Sequence, residues 1–179
     1  SVDAFNRVGT VIEIGTDASP WGLGGWLMVD GTVTEYFASP ITPADEAKFG
    51  HSIGCSDGQQ VWEALAILVA VDLWTKHWQQ KRIVLKIKGD NVAALIMVIK
   101  MRPALGSGMA IIARELALRL VDLSFPPDAE HVPGIAHILA DKLSRVYSPI
   151  GTGVLSDNLH PAMCQATVAV APHRDASYY

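Results

Sequence analysis

The stretch TVIEIGTDASPWGLGGWLMVDGTVTEYFA, from Thr10 to Ala38, decides the fold because it encodes three short strands in succession. Thr10 to Thr16 alternates and is rich in β-branched residues, which is typical of a strand. Trp26 to Val29 and Thr32 to Ala38 have the same character, and Asp30-Gly31 between them is a strong hairpin turn signal. The glycine-rich run from Gly22 to Gly25 permits a turn or a close approach of another segment. The sequence therefore predicts three antiparallel strands.

The rest of the chain alternates between helical and strand patterns. Residues 39 to 58 are rich in turn formers and predict a loop with room for one short helical turn. The further predicted elements are a helix Gln59 to Gln79 capped by Ser56 or Asp57, a strand Arg82 to Lys88, a helix from Asp90 to Lys100, a helix Gly108 to Leu123, a strand Ala129 to Val132 and a helix Ala136 to Arg145. The order βββαβααβα predicts an α/β fold with a five-stranded mixed sheet, its strands 1 to 3 antiparallel, and helices on both faces. We expect one folded domain over residues 1–148 and a C-terminal tail over 149–179 that can pack on it.

Composition limits the classes of protein to which the chain can belong. Half of its 179 residues are apolar and 18% are charged, which indicates a folded globular chain. The longest apolar run, Ala64 to Val71, is too short to span a bilayer, and no signal peptide pattern opens the chain. The two cysteines have no zinc or redox spacing. We therefore expect an intracellular protein, in the cytoplasm or nucleus, that is neither secreted nor bound to a membrane.

Four acidic residues occupy positions where such a fold can assemble a site. Asp17 ends the first strand, Asp90 ends the fourth, Glu63 lies one turn inside the long helix, and Asp141 lies in the last helix. If strands one and four are neighbours, Asp17 and Asp90 end side by side. Taken singly, each acid has an ordinary explanation as a turn residue, a helix cap or a solvated surface acid. Their joint placement on this strand order favours a shared site.

The chemistry of phosphodiester cleavage gives a reason for clustering carboxylates. Two divalent ions about 3.5–4 Å apart can activate water, neutralise the phosphoryl group and stabilise the leaving oxygen. Mg²⁺ prefers hard oxygen ligands, so a few carboxylates and a substrate phosphate suffice to hold it. Without a cation, four carboxylates at close range would repel one another and some would be protonated.

Four segments together resemble the ribonuclease H domains of retroelement reverse transcriptases, of the long-terminal-repeat or tyrosine-recombinase retrotransposon type. They are TDASPWGLGGWL (16–27), DGQQVWEALA (57–66), KGDNVAAL (88–95) and EHVPGIAHILADKLSR (130–145). The resemblance covers about residues 11–145 and implies the ribonuclease H fold. It also implies that Asp17, Glu63, Asp90 and Asp141 are catalytic acids that bind two Mg²⁺ ions, for which Mn²⁺ can substitute. The implied reaction is hydrolysis of the RNA strand of an RNA–DNA hybrid.

The same resemblance suggests substrate contacts and auxiliary residues. Ser19 and Asn91 match positions that contact the nucleic-acid backbone, and Gln59 and Gln60 match amides that read the minor groove of the hybrid. Their ordinary explanations are helix-start polar residues and, for Asn91, a plain helix cap. Many ribonucleases H have a loop histidine that assists product release, and His131, ten residues before Asp141, has suitable spacing. His137, four residues before Asp141, is its rival, and a surface or capping role is the simpler explanation of either.

The resemblance also implies partners, and two other functions compete with it. An upstream reverse transcriptase domain in a longer polyprotein would explain the abrupt start at Ser1. It would also help to bind the hybrid, because the net charge of −4 disfavours binding of a nucleic acid. As an isolated domain we expect a monomer. One alternative is a non-catalytic connection-type scaffold of a polymerase. The other is a DNA-acting nuclease of the integrase or transposase kind, in which the last acid is usually a glutamate.

Overall fold

A computed structural model of the protein describes residues 9–90, 96, 100, 107–123, 126–131 and 135–179. Within these ranges six strands form one mixed sheet in the order β5-β4-β1-β2-β3-β6. The strands are β1 (Thr10–Ala18), β2 (Gly22–Val29), β3 (Thr32–Pro40), β4 (Ile83–Gly89), β5 (Asp128–His131) and β6 (Thr167–Val168). The described helices, numbered in chain order, are α1 (Pro43–Phe49), α2 (Gln59–Trp74), α3 (Ser107–Leu120) and α4 (Ile135–Ser144).

The three N-terminal strands form the predicted antiparallel meander. β1 pairs antiparallel with β2, and β2 pairs antiparallel with β3. The turn between β2 and β3 has positive φ at both Asp30 (47°) and Gly31 (87°), as a two-residue hairpin turn requires. The expected hairpin and the antiparallel order of strands 1 to 3 are confirmed.

The sheet becomes mixed where the chain crosses over to its other side. β4 pairs parallel with β1, and β5 pairs parallel with β4. The connection from β3 to β4 runs through α2, whose residues are buried along nearly its whole length. A helix that is apolar all round belongs in a core, and α2 packs on the face of the sheet that presents Ile14, Leu27 and Phe37.

The opposite face of the sheet is covered by α4. Strand side chains alternate between faces, so Trp26 and Tyr36 pack with Leu139 and Leu143 in a second, smaller cluster. Met163, from the C-terminal segment, is buried in the same cluster. The protein therefore has helices on both faces of one mixed sheet, as predicted.

Several local predictions were wrong. The sheet has a sixth strand because β6, from the C-terminal tail, pairs parallel with the edge strand β3. Residues 43–49 form a helix with a capping box between Thr42 and Asp45, where a loop with one short helical turn was predicted. The cap of α2 is Gly58, without a side-chain hydrogen bond, and neither Ser56 nor Asp57. α2 ends at Trp74 and gives way to a short 3-10 turn over Thr75–His77, because the apolar pattern ends there.

The C-terminal tail packs on several elements of the domain. Arg174 is 2% exposed and pairs with Asp45, which is fully buried. The Tyr179 hydroxyl lies 2.7 Å from an Asp45 carboxylate oxygen, and the Tyr179 ring meets Phe49 edge to face. The division of the chain at residue 148 stays a prediction. None of the described helices is both long enough and apolar enough to cross a membrane.

Candidate active site

The candidate site lies at one end of the sheet, where β1 and β4 finish. The parallel register pairs Gly15 with Lys88, so continuing it by two residues puts Asp90 level with Asp17. Asp17 faces α4, because residues 13, 15 and 17 of β1 alternate with Ile12 and Ile14, which face α2. The expectation that strands one and four are neighbours, and that their acids end side by side, agrees with this register.

Two glycines of the GLGG run let α4 approach β2 closely. A Cβ on Gly24 would lie 2.4 Å from the Ser144 nitrogen and 2.7 Å from the Ala140 oxygen, and a Cβ on Gly22 would lie 2.7 Å from the Ser144 oxygen. Gly24 is also the cross-strand partner of Asp17. These glycines therefore bring the helix that carries Asp141 against the strand pair that carries Asp17.

Ser144 connects α4 directly to the first acid. Its hydroxyl lies 2.8 Å from Asp17 Oδ2 and 2.9 Å from the Asp141 carbonyl oxygen, one helical turn earlier. Burial raises the pKa of Asp17, the Ser144 hydrogen bond opposes that rise, and the charge of Asp141 adds to it. Asp17 and Asp141 thus lie close enough to repel each other.

Glu63 is placed by the glutamine one turn before it. The Gln59 amide nitrogen lies 2.6 Å from the Ala18 carbonyl oxygen and 2.9 Å from Glu63 Oε1, so it links α2 to the end of β1. Glu63 is 6% exposed. Burial, then the charge of Asp17 and last that of Asp90 together raise the pKa of Glu63 to about 8, against the hydrogen bonds from Gln59 and the Ala18 backbone, which lower it. At neutral pH and without a cation, the Glu63 carboxyl is mostly protonated.

The other two acids are more open to solvent. The Asp90 side chain is 61% exposed, and its Oδ2 lies 3.8 Å from His137 Nε2. Asp141 is 37% exposed and accepts a hydrogen bond of 2.7 Å from Arg145 Nε, one helical turn later. The charges of His137 and Arg145 both lower the pKa of Asp17, so α4 presents two basic groups to the acids.

The structure therefore brings all four predicted acids into one electrostatically coupled group. It does not arrange them as a finished metal site: among the described residues, no group of three or more acidic, histidine or cysteine side chains could hold a metal ion. Three of the carboxylates are instead turned towards protein partners, namely Ser144, Gln59 and Arg145. Hard carboxylate oxygens suit a divalent cation chemically, and a bound cation would offset the repulsion that raises the pKa of Glu63.

The remaining predicted residues differ in where they lie. Ser19 is 1% exposed, and its hydroxyl lies 2.8 Å from the Ser144 carbonyl oxygen, which gives it a role in holding α4. Gln60 is exposed on the first turn of α2. His131 pairs through its backbone with Gly89 at the end of β4, and its side chain lies outside the described part. Asn91 lies outside the described residues altogether.

Sequence reasoning assigned no role to Ser144 or Arg145, although both stand in the quoted segment ending at residue 145. The sequence feature that could have identified these two residues is their spacing, because residues three and four positions after Asp141 share its face of the helix. A hydroxyl and a guanidinium at those positions can contact the acid itself or the strand beneath it.

Comparison with solved structures identifies the architecture as the ribonuclease H fold. Ribonuclease H1 from the halophilic archaeon Halobacterium salinarum superposes with a TM-score of 0.56 at 11% identity, over 77% of this chain and 96% of that one. The N-terminal ribonuclease H domain of a Mycobacterium tuberculosis protein gives 0.53 at 14% identity, over 76% and 95%. The compost-derived ribonuclease H1 called LC11, solved in complex with an RNA/DNA hybrid, gives 0.54 at 11% identity, over 75% and 92%.

These likenesses establish the fold, and sequence identities of 11% and 14% carry the comparison no further. No protein-family model matches the sequence, and no curated protein matches it significantly.

Proposed function

We propose that the protein is an endoribonuclease that hydrolyses the RNA strand of RNA–DNA hybrids with the help of divalent metal ions. One observation carries this proposal: Glu63 is buried beside Asp17 and Asp90, and Asp17 in turn is coupled to Asp141. A merely structural end of a sheet has no use for four acids in one place, and the burial and charge repulsion that raise the pKa values of Asp17 and Glu63 cost stability unless a cation offsets them. The ribonuclease H neighbours, one of them holding an RNA/DNA hybrid, agree with this activity.

In this proposal Asp17, Glu63, Asp90 and Asp141 hold two Mg²⁺ ions, or Mn²⁺ in their place. The ions would supply an activated water and neutralise the charge that develops on the phosphoryl group. Asp17 interacts electrostatically with both Glu63 and Asp141, so its carboxylate would help to hold both ions. Glu63 and Asp90 would hold the ion at the leaving oxygen, and Asp141 the ion beside the attacking water.

The protein's own residues prepare this site. Ser144 fixes the Asp17 carboxylate from α4, and Gln59 fixes Glu63 from the first turn of α2. Binding a cation would require Glu63 to release its proton, so metal affinity should rise with pH through about 8. Roles for Ser19, Gln59, Gln60 and Asn91 in contacting the hybrid, and for His137 or His131 in product release, stay predictions.

We further propose that the domain is the ribonuclease H part of a retroelement reverse transcriptase within an intracellular polyprotein. The signature AHILADKLSR at residues 136–145 supports this context. A polymerase domain upstream would compensate for the net charge of −4, which disfavours binding of a polyanion.

The decisive experiment is cleavage of a hybrid labelled on its RNA strand, with Mg²⁺, with Mn²⁺ and with EDTA. We expect cleavage that requires the metal, and a loss of at least about 10³-fold in Asp17→Asn, Glu63→Gln and Asp90→Asn, in line with the loss of charged groups from a catalytic centre. Asp57→Asn, an exposed acid near the start of α2, is the matched control and should keep full activity. Equal cleavage by Asp90→Asn would defeat the assignment.

The two competing functions predict other outcomes. A connection-type scaffold would cleave nothing and would show no two-site Mn²⁺ binding in a titration. An integrase-like or transposase-like nuclease would cut double-stranded DNA and leave the hybrid intact. Retention of all four acids disfavours the scaffold, and an aspartate at position 141 in place of a glutamate disfavours the DNA-acting nuclease.

A further inference from the structure

Beside the acid cluster, the end of α4 and the segment after it line an open cleft of about 280 Å³ with a mostly apolar lining, called the basic cleft because its charged lining residues are Lys142 and Arg145. Lys142, Arg145 and Ser148 line it from α4 and the turn that follows, and Ile150, Thr152 and Leu159 line it from the tail. A water molecule takes up about 30 Å³ in the liquid, so the cleft has room for a phosphate group and several waters.

The cleft is a built feature, because a specific turn folds the tail back against α4. A Cβ on Gly151 would lie 2.3 Å from the Val146 carbonyl oxygen, so only glycine permits this approach. Gly153, with φ of 67°, donates a hydrogen bond of 2.9 Å from its backbone N–H to the same oxygen.

Each of the two cations of the cleft keeps donor nitrogens that no described carboxylate engages. Lys88, Arg119 and Arg174 are each paired with carboxylates. Within the described residues Lys142 has a hydrogen bond of 3.2 Å only to the Leu159 carbonyl oxygen and no acidic partner. Arg145 uses its Nε on Asp141, is 53% exposed, and has no described acceptor for its terminal nitrogens.

A third polar group of the cleft has no partner at all within the described residues. Ser148 is 7% exposed, yet its hydroxyl makes no hydrogen bond there. A buried hydroxyl without a partner costs free energy, so a bound group that reached the Ser148 oxygen would relieve that cost.

We propose that Lys142, Arg145 and Ser148 form a binding subsite for a backbone phosphate of the nucleic-acid substrate, next to the reacting centre. This inference rests on the proposed function and names where that substrate is held. Arg145 forms an ion pair with Asp141, and its charge also lowers the pKa of Asp17. A phosphate bound by the terminal nitrogens of Arg145 would therefore lie next to the acid cluster. A guanidinium binds phosphate through two parallel hydrogen bonds, and an ammonium adds a point charge.

The subsite also resolves a conflict in the charge balance. A protein with net charge −4 and an acidic centre repels a polyanion unless cations lie where the backbone enters. Lys142 on α4 and Arg145 directly after it supply positive charge next to Asp141, where the substrate backbone would enter.

The test measures hybrid binding separately from cleavage, by fluorescence anisotropy over a range of salt concentrations. Ca²⁺ replaces Mg²⁺ in one series and EDTA removes all metal in another, and the variants are Lys142→Gln, Arg145→Gln, Arg145→Lys and Ser148→Ala. Lys81→Gln is the matched control, because Lys81 is an exposed cation before β4, at the opposite end of that strand from Asp90.

We expect Lys142→Gln and Arg145→Gln each to weaken hybrid binding several-fold, and each to reduce the slope of log K against log salt by about 1. Arg145→Lys should recover the slope but only part of the affinity, because it keeps the charge and loses the paired hydrogen bonds. Ser148→Ala should weaken binding without lowering the melting temperature, and Lys81→Gln should bind like the wild type.

The outcomes separate this inference from the proposed function. If the wild type cleaves the hybrid but Lys142→Gln and Arg145→Gln keep its affinity and salt slope, the subsite is wrong and the enzyme proposal stands. If the wild type binds without cleaving, and the two variants lose that binding, the subsite stands and the enzyme proposal fails. A wild type that neither binds nor cleaves overturns both.

Discussion

Glu63 is a side chain whose surroundings oppose its own charge. It is 6% exposed, lies near Asp17 and Asp90, and has one neutral amide, that of Gln59, as its side-chain partner. A pKa raised to about 8 means that the native state keeps a proton that the unfolded chain loses near 4.5. Native protein therefore binds more protons between these values, and stability falls as pH rises through that window.

Removing the charge of Glu63 should relieve this cost. Without metal we expect Glu63→Gln to be more stable than the wild type at pH 8, by roughly a few kcal/mol, and to lose the decline of stability between about pH 5 and pH 8. Urea unfolding in EDTA across that range measures it. Asp57→Asn, on an exposed acid, is the control and should follow the wild-type curve.

Added Mg²⁺ should stabilise the two proteins to different extents. It should stabilise the wild type at pH 8 by binding the native state, and should stabilise Glu63→Gln much less. A wild type whose stability is level from pH 5 to pH 8 in EDTA would contradict the environment described for Glu63.

At the scale of elements, the contact between β2 and α4 determines whether Asp17 and Asp141 can meet. Gly24 leaves no space for a side chain, because a Cβ there would lie 2.4 Å from the Ser144 nitrogen and 2.6 Å from the Leu143 Cβ. Backbone atoms cannot give way as the end of a flexible side chain can, so any larger residue must push α4 outward. That shift would break the Ser144 hydrogen bond to Asp17.

Gly24→Ala should therefore damage both stability and the site. We expect a destabilisation of about 1–3 kcal/mol, as for other overpacked positions, together with a large loss of hybrid cleavage. Gly31→Asn is the control, because a side chain at Gly31 meets open space and Asn tolerates its φ of 87°. Thermal unfolding and cleavage by both variants test this, and a fully active Gly24→Ala would show that α4 is not held this tightly.

At the scale of the whole molecule, the C-terminal tail contacts the domain at several points. Arg174 makes hydrogen bonds of 2.9–3.1 Å to both oxygens of Asp45, and further ones to the Ser39 hydroxyl and the Pro40 carbonyl oxygen. Both partners of this ion pair are almost completely buried. Nearer its start, the tail supplies one wall of the basic cleft.

Breaking the Arg174–Asp45 pair should cost far more than breaking a surface pair. Arg174→Ala leaves Asp45 as an uncompensated buried charge, and we expect a loss of about 3–5 kcal/mol in urea unfolding. Arg114→Ala, which removes an ion pair to Glu115 whose arginine is 62% exposed, should cost at most about 1 kcal/mol. Similar losses in the two variants would mean that the tail contributes little to the stability of the domain.

The sequence determined most of the strand and helix pattern. Alternation in residues 10–16, the Asp30-Gly31 turn and the apolar run of α2 depend on nearest neighbours and on burial, so their periods can be seen in the chain itself. The capping signal of α1 is also present in the sequence, since Thr42, Pro43, Asp45 and Gly50 mark its start and end, but a helix of 7 residues is too short to show an apolar period. The four acids could be singled out because each stands at the end of a strand or within a helix that the sequence pattern predicts.

Tertiary structure alone decided the features that depend on segments distant in the chain. β6 pairs with β3 across more than a hundred residues, and Arg174 pairs with Asp45 across 129 positions. Neither local propensity nor periodicity can predict these two contacts. The same holds for the raised pKa of Glu63, which depends on burial and on the charges of Asp17 and Asp90. Local order is fixed by interactions between neighbours, whereas the electrostatics of a site and the docking of a tail arise only when distant parts of the chain share one space.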